Sequence, residues 1–157
     1  MNKFCIIICA VLFVSCVPLK ERNGEPQTCL AMATYLIAST GVTLSCASPT
    51  AKDIDSTSFS PHVKIAMKAY INYKLSSLAF NCITFEEDTK IVKGKKSIEI
   101  REIHNKSCGG DLRTAPRVLS LAIDVKTLKV QTDSYSIDGV YQNLRKPLNK
   151  KRHGMSL

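Results

Sequence analysis

The sequence predicts an α+β domain in which one amphipathic helix packs on an antiparallel β meander. Three observations lead there. Apolar residues recur at helical spacing over 61–79. Past residue 82 the period falls to two, with apolar and polar residues alternating as on a half-buried sheet. Short polar turns separate the alternating runs, so each strand pairs with its neighbour in sequence. A chain of 157 residues suits one such layered unit with appendages.

The helix opens at Ser60-Pro61, a hydroxyl N-cap followed by a proline in the first turn. Val63, Met67, Ile71, Leu75 and Leu78 follow on one stripe, widened by Tyr70, while Lys64, Lys68 and Asn72 take the other face. Ile83-Thr84-Phe85 begins the first strand, Lys93-Gly94-Lys95-Lys96 is a turn, and Ser97–Arg101 alternates as the second strand. Leu119, Leu121, Ile123 and Val125 alternate again. Asp124–Val130 reads as a further hairpin, with Leu128 where glycine would relax a left-handed turn. A short last strand falls at Val140-Tyr141, and a basic tail without apolar period runs over 145–157. The order of elements is similar to that of cystatin-like or NTF2-like domains, an analogy of layout that carries no function.

Seven cysteines punctuate the chain. Cys82 and Cys108 are nearly symmetric about the turn near Gly94-Lys95, so antiparallel pairing brings them to the open end of one hairpin. That places their Cα atoms within the roughly 7 Å a disulfide needs. Upstream, residues 28–49 carry no charge. Three readings fit this stretch: a buried segment closed by a Cys29–Cys46 disulfide, a marginal transmembrane helix, or a second start at Met32 with processing near Cys46. The first is the expectation. Residues 50–60 then read as a polar linker.

The N-terminus reads as an export signal. Met1-Asn2-Lys3 is a short positive region, and Phe4–Val14 is an unbroken apolar run of eleven residues, short of the about 20 that span a bilayer. Phe13-Val14-Ser15-Cys16 resembles the lipobox of bacterial lipoproteins, with phenylalanine where leucine is usual. The resemblance implies cleavage after Ser15, lipidation of Cys16, a tether over 16–27 and an outer-membrane anchor facing the periplasm. Val17 is not the aspartate that retains such proteins at the inner membrane. With Cys16 lipidated and Cys5 and Cys9 removed, four cysteines remain, enough for two disulfides in an oxidising compartment.

The net charge is +9, and removing residues 1–15 leaves 21 basic against 13 acidic residues. Such a surplus suits anionic partners or simply solubility. Nucleic-acid motifs are absent, so no nucleic-acid partner is expected. The densest polar cluster is His104–Arg117. Its phrase His-x-x-x-Cys-Gly-Gly-Asp-x-x-Thr-Ala-Pro-Arg resembles a pattern in small exported bacterial proteins of uncharacterised function, and this transfers no activity. His104, Asp111, Arg113 and Arg117 are the candidate binding residues. A single His-Cys-Asp set lacks the paired spacing of a zinc site, so neither metal nor cofactor is expected.

Function is therefore expected to be non-enzymatic: an envelope lipoprotein whose domain, residues 61–144, binds a protein partner or an anionic envelope component. The alternative is a periplasmic thiol enzyme or hydrolase using His104, Cys108 and Asp111 as base, nucleophile and orienting group.

Overall fold

The computed structural model describes residues 29–35 and 40–145. The export signal, Cys16, the tether and tail residues 146–157 lie outside the described residues. A seven-stranded antiparallel sheet dominates, with every strand beside its sequence neighbour: β1 Ala31–Tyr35, β2 Thr40–Leu44, β3 Ile83–Val92, β4 Lys95–Glu102, β5 Arg117–Asp124, β6 Val130–Thr132 and β7 Gln142–Asn143. Helices α1, Ala51–Asp55, and α2, Pro61–Tyr73, connect β2 to β3, followed by a 3-10 turn at Phe80–Cys82. The chain is thus mostly β, a longer meander than the four or so strands predicted, with two helices instead of one. Among the described residues no helix is long and apolar enough to cross a membrane.

The central hairpin follows from its turn. Val92 pairs with Lys95, leaving Lys93 and Gly94 as a two-residue connection at φ 50° and 73°, the doubly left-handed turn whose twist matches antiparallel strands. The register shifts between Ile91 and Glu87 and then runs through Phe85↔Ile100 to Ile83↔Glu102. Alternation then divides the sheet. Ile83, Phe85, Ile98, Ile100, Leu119, Leu121 and Ile123 are buried against α2, which contributes Val63, Met67 and Tyr70. Tyr70, Phe80 and Phe85 meet with ring centroids 5.3–6.0 Å apart, in edge-on and stacked pairs.

The helix is shorter than the predicted 61–79. Lys74 adopts a left-handed φ of 48°, and its amide donates to the Ile71 and Tyr70 carbonyls, ending the helix. Leu75 and Leu78 still pack on the core, from the loop beyond. The predicted polar linker at 50–60 is also corrected. Thr50 and Asp53 form a reciprocal capping box that starts α1, and Ile54 is fully buried. Asp55 then joins the helices, accepting from Lys68 Nζ at 2.6 Å through its carboxylate and from Lys64 Nζ at 3.0 Å through its carbonyl.

The uncharged stretch is a hairpin closed by Cys29–Cys46, with Cα atoms 5.2 Å apart. Only β2 is mostly buried; β1 is an exposed edge. Folded structure therefore begins before residue 61. Gly41 lets β1 and β3 approach across β2: Thr34 Oγ1 lies 2.5 Å from Thr84 Oγ1. A Cβ on Gly41 would sit 2.2 Å from Thr84 Oγ1. At the other end the last strand lies at 142–143, two residues later than predicted. Arg145 belongs to the fold and not to the tail, exchanging backbone hydrogen bonds with the Tyr135 hydroxyl and placing its guanidinium 5.4 Å from that ring's centroid.

The sheet face away from α2 is half ionic. Arg101 bonds Glu99 at 2.7 Å and lies 3.4 Å from Glu86. Arg117 reaches Glu99 at 3.8 Å and pairs with the buried Asp133, whose carboxylate also accepts the Ser120 amide at 2.7 Å. This ladder crosses three strands and covers the backbone there.

Candidate functional site

The cluster singled out in the sequence is the loop between β4 and β5, residues 103–116. It is anchored at both ends. The Ile103 amide donates to the Cys82 carbonyl at 2.8 Å, and the Glu102 amide to the Pro116 carbonyl at 2.9 Å. Arg101 Nη1 donates to the Ala115 carbonyl at 3.0 Å. Cys82–Cys108 crosses the base, with Cα atoms 5.5 Å apart; the strand register sets Cys82 beside Ile103, and the loop folds Cys108 back to it. Inside, Asn105 Oδ1 accepts the Ser107 and Cys108 amides at 2.8 and 2.9 Å, turning the chain toward the disulfide.

His104 ties the two limbs of the loop together. Its Nε2 lies 2.8 Å from Glu102 Oε2, and its Nδ1 lies 2.9 Å from the Asp111 carbonyl and 3.0 Å from Thr114 Oγ1. A carboxylate and a carbonyl only accept, so the arrangement is satisfied best when both ring nitrogens donate, as imidazolium. The Glu102 carboxylate, then the Asp111 carbonyl, accordingly raise the His104 pKa above the ordinary histidine value. Gly110 lies against the ring at φ 82°, where a Cβ would come within 2.4 Å of Cδ2, so only glycine fits.

Asp111 presents its backbone, not its carboxylate, to His104. The carboxylate accepts from the Arg113 guanidinium at 3.1 and 3.2 Å and from the Arg113 amide at 3.0 Å, which lowers its pKa. The Arg113 side chain is nonetheless 89% exposed. The structure therefore brings His104, Asp111 and Arg113 together but not Arg117, which serves the ion-pair ladder. Cys108 Sγ is bonded to Cys82, so it offers no thiolate, and both His104 ring nitrogens already face hydrogen-bond acceptors. Among the described residues no His, Cys, Asp and Glu side chains gather as a metal-binding group.

Glu102 is the partner that the sequence reading missed. Its signal was the spacing: residues two apart at a strand's end share one face. Two cavities were missed as well. One, of about 410 Å³, lies between the N-terminus of α2 and the β1–β2 hairpin, with Tyr35, Phe59, Val63 and Phe85 in its wall. The other, of about 350 Å³, opens on the outer face near the Lys93-Gly94 turn. Compared with family models, with curated proteins and with solved structures, the chain matches none of them.

Proposed function

We propose that this chain is a non-enzymatic envelope lipoprotein. Its signal is cleaved before Cys16, lipid on Cys16 anchors it to the outer membrane facing the periplasm, and the tether 16–27 carries a disulfide-stapled binding domain. The observation that carries the non-enzymatic part is the closed His104 cluster: its sulfur is oxidised, both ring nitrogens are occupied and its carboxylate is engaged by Arg113. Two disulfides in so small a unit support an oxidising compartment. The helix layer on one face of a meander supports the cystatin-like or NTF2-like analogy, with the loop 103–116 and the open sheet face left for a protein partner or an anionic envelope component.

The experiment is association with envelope-mimicking surfaces. Exposed charges are screened within about 8–10 Å at physiological ionic strength, so binding to anionic vesicles or wall fragments should weaken as salt rises. Arg113, Lys106 and the tail cations are the groups to test. Removing residues 146–157, beyond the anchored Arg145, should weaken association several-fold at low salt and leave folding intact. Equal binding by both forms, or none to any anionic surface, contradicts the anionic half of the proposal. Cys16→Ser should abolish palmitate labelling; a wild type that never labels contradicts the anchor.

A further inference from the structure

The outer face of the sheet is not uniform. Toward β4's end it is filled by Glu99, Arg101 and Arg117. Toward the Lys93-Gly94 turn the cross-strand partners Ser97 and Ala122 are small, and the face is hollow. The cavity there is about 350 Å³, within the roughly 300–1,000 Å³ of small-molecule sites. Val92, Ala122 and Tyr141 supply its apolar wall, and Lys90, Lys93 and Lys95 stand around it.

Three lysines outnumber the carboxylates around this hollow: Asp88 stands in the same wall and Asp124 lies close enough to Lys95 to feel its charge, so the surplus there is positive but partly offset. The nearby carboxylates are turned to backbone: Asp88 Oδ1 accepts the Lys90 amide at 2.9 Å, and Asp124 Oδ1 accepts the Lys126 and Thr127 amides at 3.0 and 2.7 Å. Lys95 Nζ donates to a neutral acceptor, Gln131 Oε1, at 2.6 Å. Among the described residues neither the Lys90 nor the Lys93 ammonium has an ion-pair partner. Three cations rimming an apolar hollow match a ligand that is anionic at one end and apolar along its body. A bare anion would leave Val92, Ala122 and Tyr141 unused, and a neutral lipid would leave the lysines unused.

We infer that this cavity binds a single-chain anionic amphiphile, its headgroup held by Lys90, Lys93 and Lys95 and its chain laid over Val92, Ala122 and Tyr141. The inference rests on the proposed binding function and names its ligand class and place. The probe is dodecyl phosphate below its micelle threshold, added to the exported full chain with disulfides intact. Binding is followed by calorimetry and by amide shifts at Ser97, Ala122 and Tyr141.

Saturable binding that moves those amides is the expected result. Lys93→Asn keeps the turn, since asparagine tolerates positive φ, and should weaken binding about five-fold, the effect of one basic residue beside an anionic surface. Ala122→Leu fills the hollow and should abolish binding. Inorganic phosphate or octyl glucoside binding as tightly as dodecyl phosphate overturns the amphiphile, as does dodecyl phosphate binding indifferent to either substitution. A wild type that associates with anionic vesicles but ignores dodecyl phosphate overturns the cavity alone. Saturable dodecyl phosphate binding without association to any envelope surface upholds the cavity and counts against the wider anionic-surface reading.

Discussion

Removing the Cys82–Cys108 bridge should destabilise the domain by a calculable amount. The bond closes a loop with a sequence separation of 26 residues. Chain entropy then makes it worth about 3.5 kcal/mol at 25 °C, by confining the unfolded state. The native loop keeps its other anchors in the Cys82→Ala/Cys108→Ala protein: Ile103 on the Cys82 carbonyl, Arg101 on Ala115 and His104 on Glu102. Folding should survive while the melting temperature falls by roughly 10–20 °C. Denaturant unfolding followed by circular dichroism reads the change as a shift in midpoint. The Cys29–Cys46 bridge, with a separation of 17, comes to about 3 kcal/mol by the same relation, so the two losses should be close. A loss under about 1 kcal/mol for Cys82–Cys108 would refute the entropic reasoning. A non-reducing peptide map joining Cys82 to Cys29 or Cys46 would refute the pairing itself.

Substitutions at His104, Gly41 with Thr84, and Leu128 probe the rest of the fold. The His104 pKa is raised in the fold by Glu102 and the Asp111 carbonyl. Its stabilisation should be complete below the unfolded histidine value of about 6.5 and lost as pH rises through the raised folded value. His104→Gln should remove that part of the pH dependence in denaturant midpoints between acid and mildly alkaline buffer; an unchanged slope counts against the imidazolium. Gly41→Ala should destabilise by about 1–3 kcal/mol, because its Cβ meets the buried Thr84. Adding Thr84→Ala should recover part of that loss, whereas strict additivity would mean the two do not touch. Leu128 holds φ 57° with its side chain half exposed. Leu128→Gly should therefore raise stability by about 0.5–1 kcal/mol in thermal melts, and a loss would show that the leucine packing outweighs its backbone strain.

What the sequence made legible was local. Ser60-Pro61 marked a helix start because capping depends on adjacent residues. The Lys93-Gly94 turn was legible, and Cys82 pairs with Cys108 as expected, although a register shift between Glu87 and Ile91 sets Cys82 beside Ile103 and it is the loop that returns Cys108 to it. Leu128 was flagged as unfavourable for a turn that nevertheless forms, because Asp124 Oδ1 accepts two backbone amides there. Other features had weaker signals. The Thr50-x-x-Asp53 capping box stood in a run of Thr, Ser and Asp, and α1 buries one residue, Ile54, which makes no period. The β1–β2 hairpin, with one strand exposed, lacks the clean alternation of β4. Arg117 was read as a binding residue because its partner, Asp133, arrives from the far side of a hairpin. Contacts of that kind are set by the whole sheet.

The central claim is that an exported, lipid-anchored chain carries a domain whose cysteines serve structure and not chemistry. Mass spectrometry of the exported protein, digested without reduction, tests it most directly. The account predicts a mature N-terminus at a lipid-modified Cys16, one peptide pair joining Cys29 to Cys46, another joining Cys82 to Cys108, and no free thiol. An unprocessed or unlipidated Cys16, or a reduced Cys108 beside His104, would contradict it and return the loop 103–116 to the list of reactive sites.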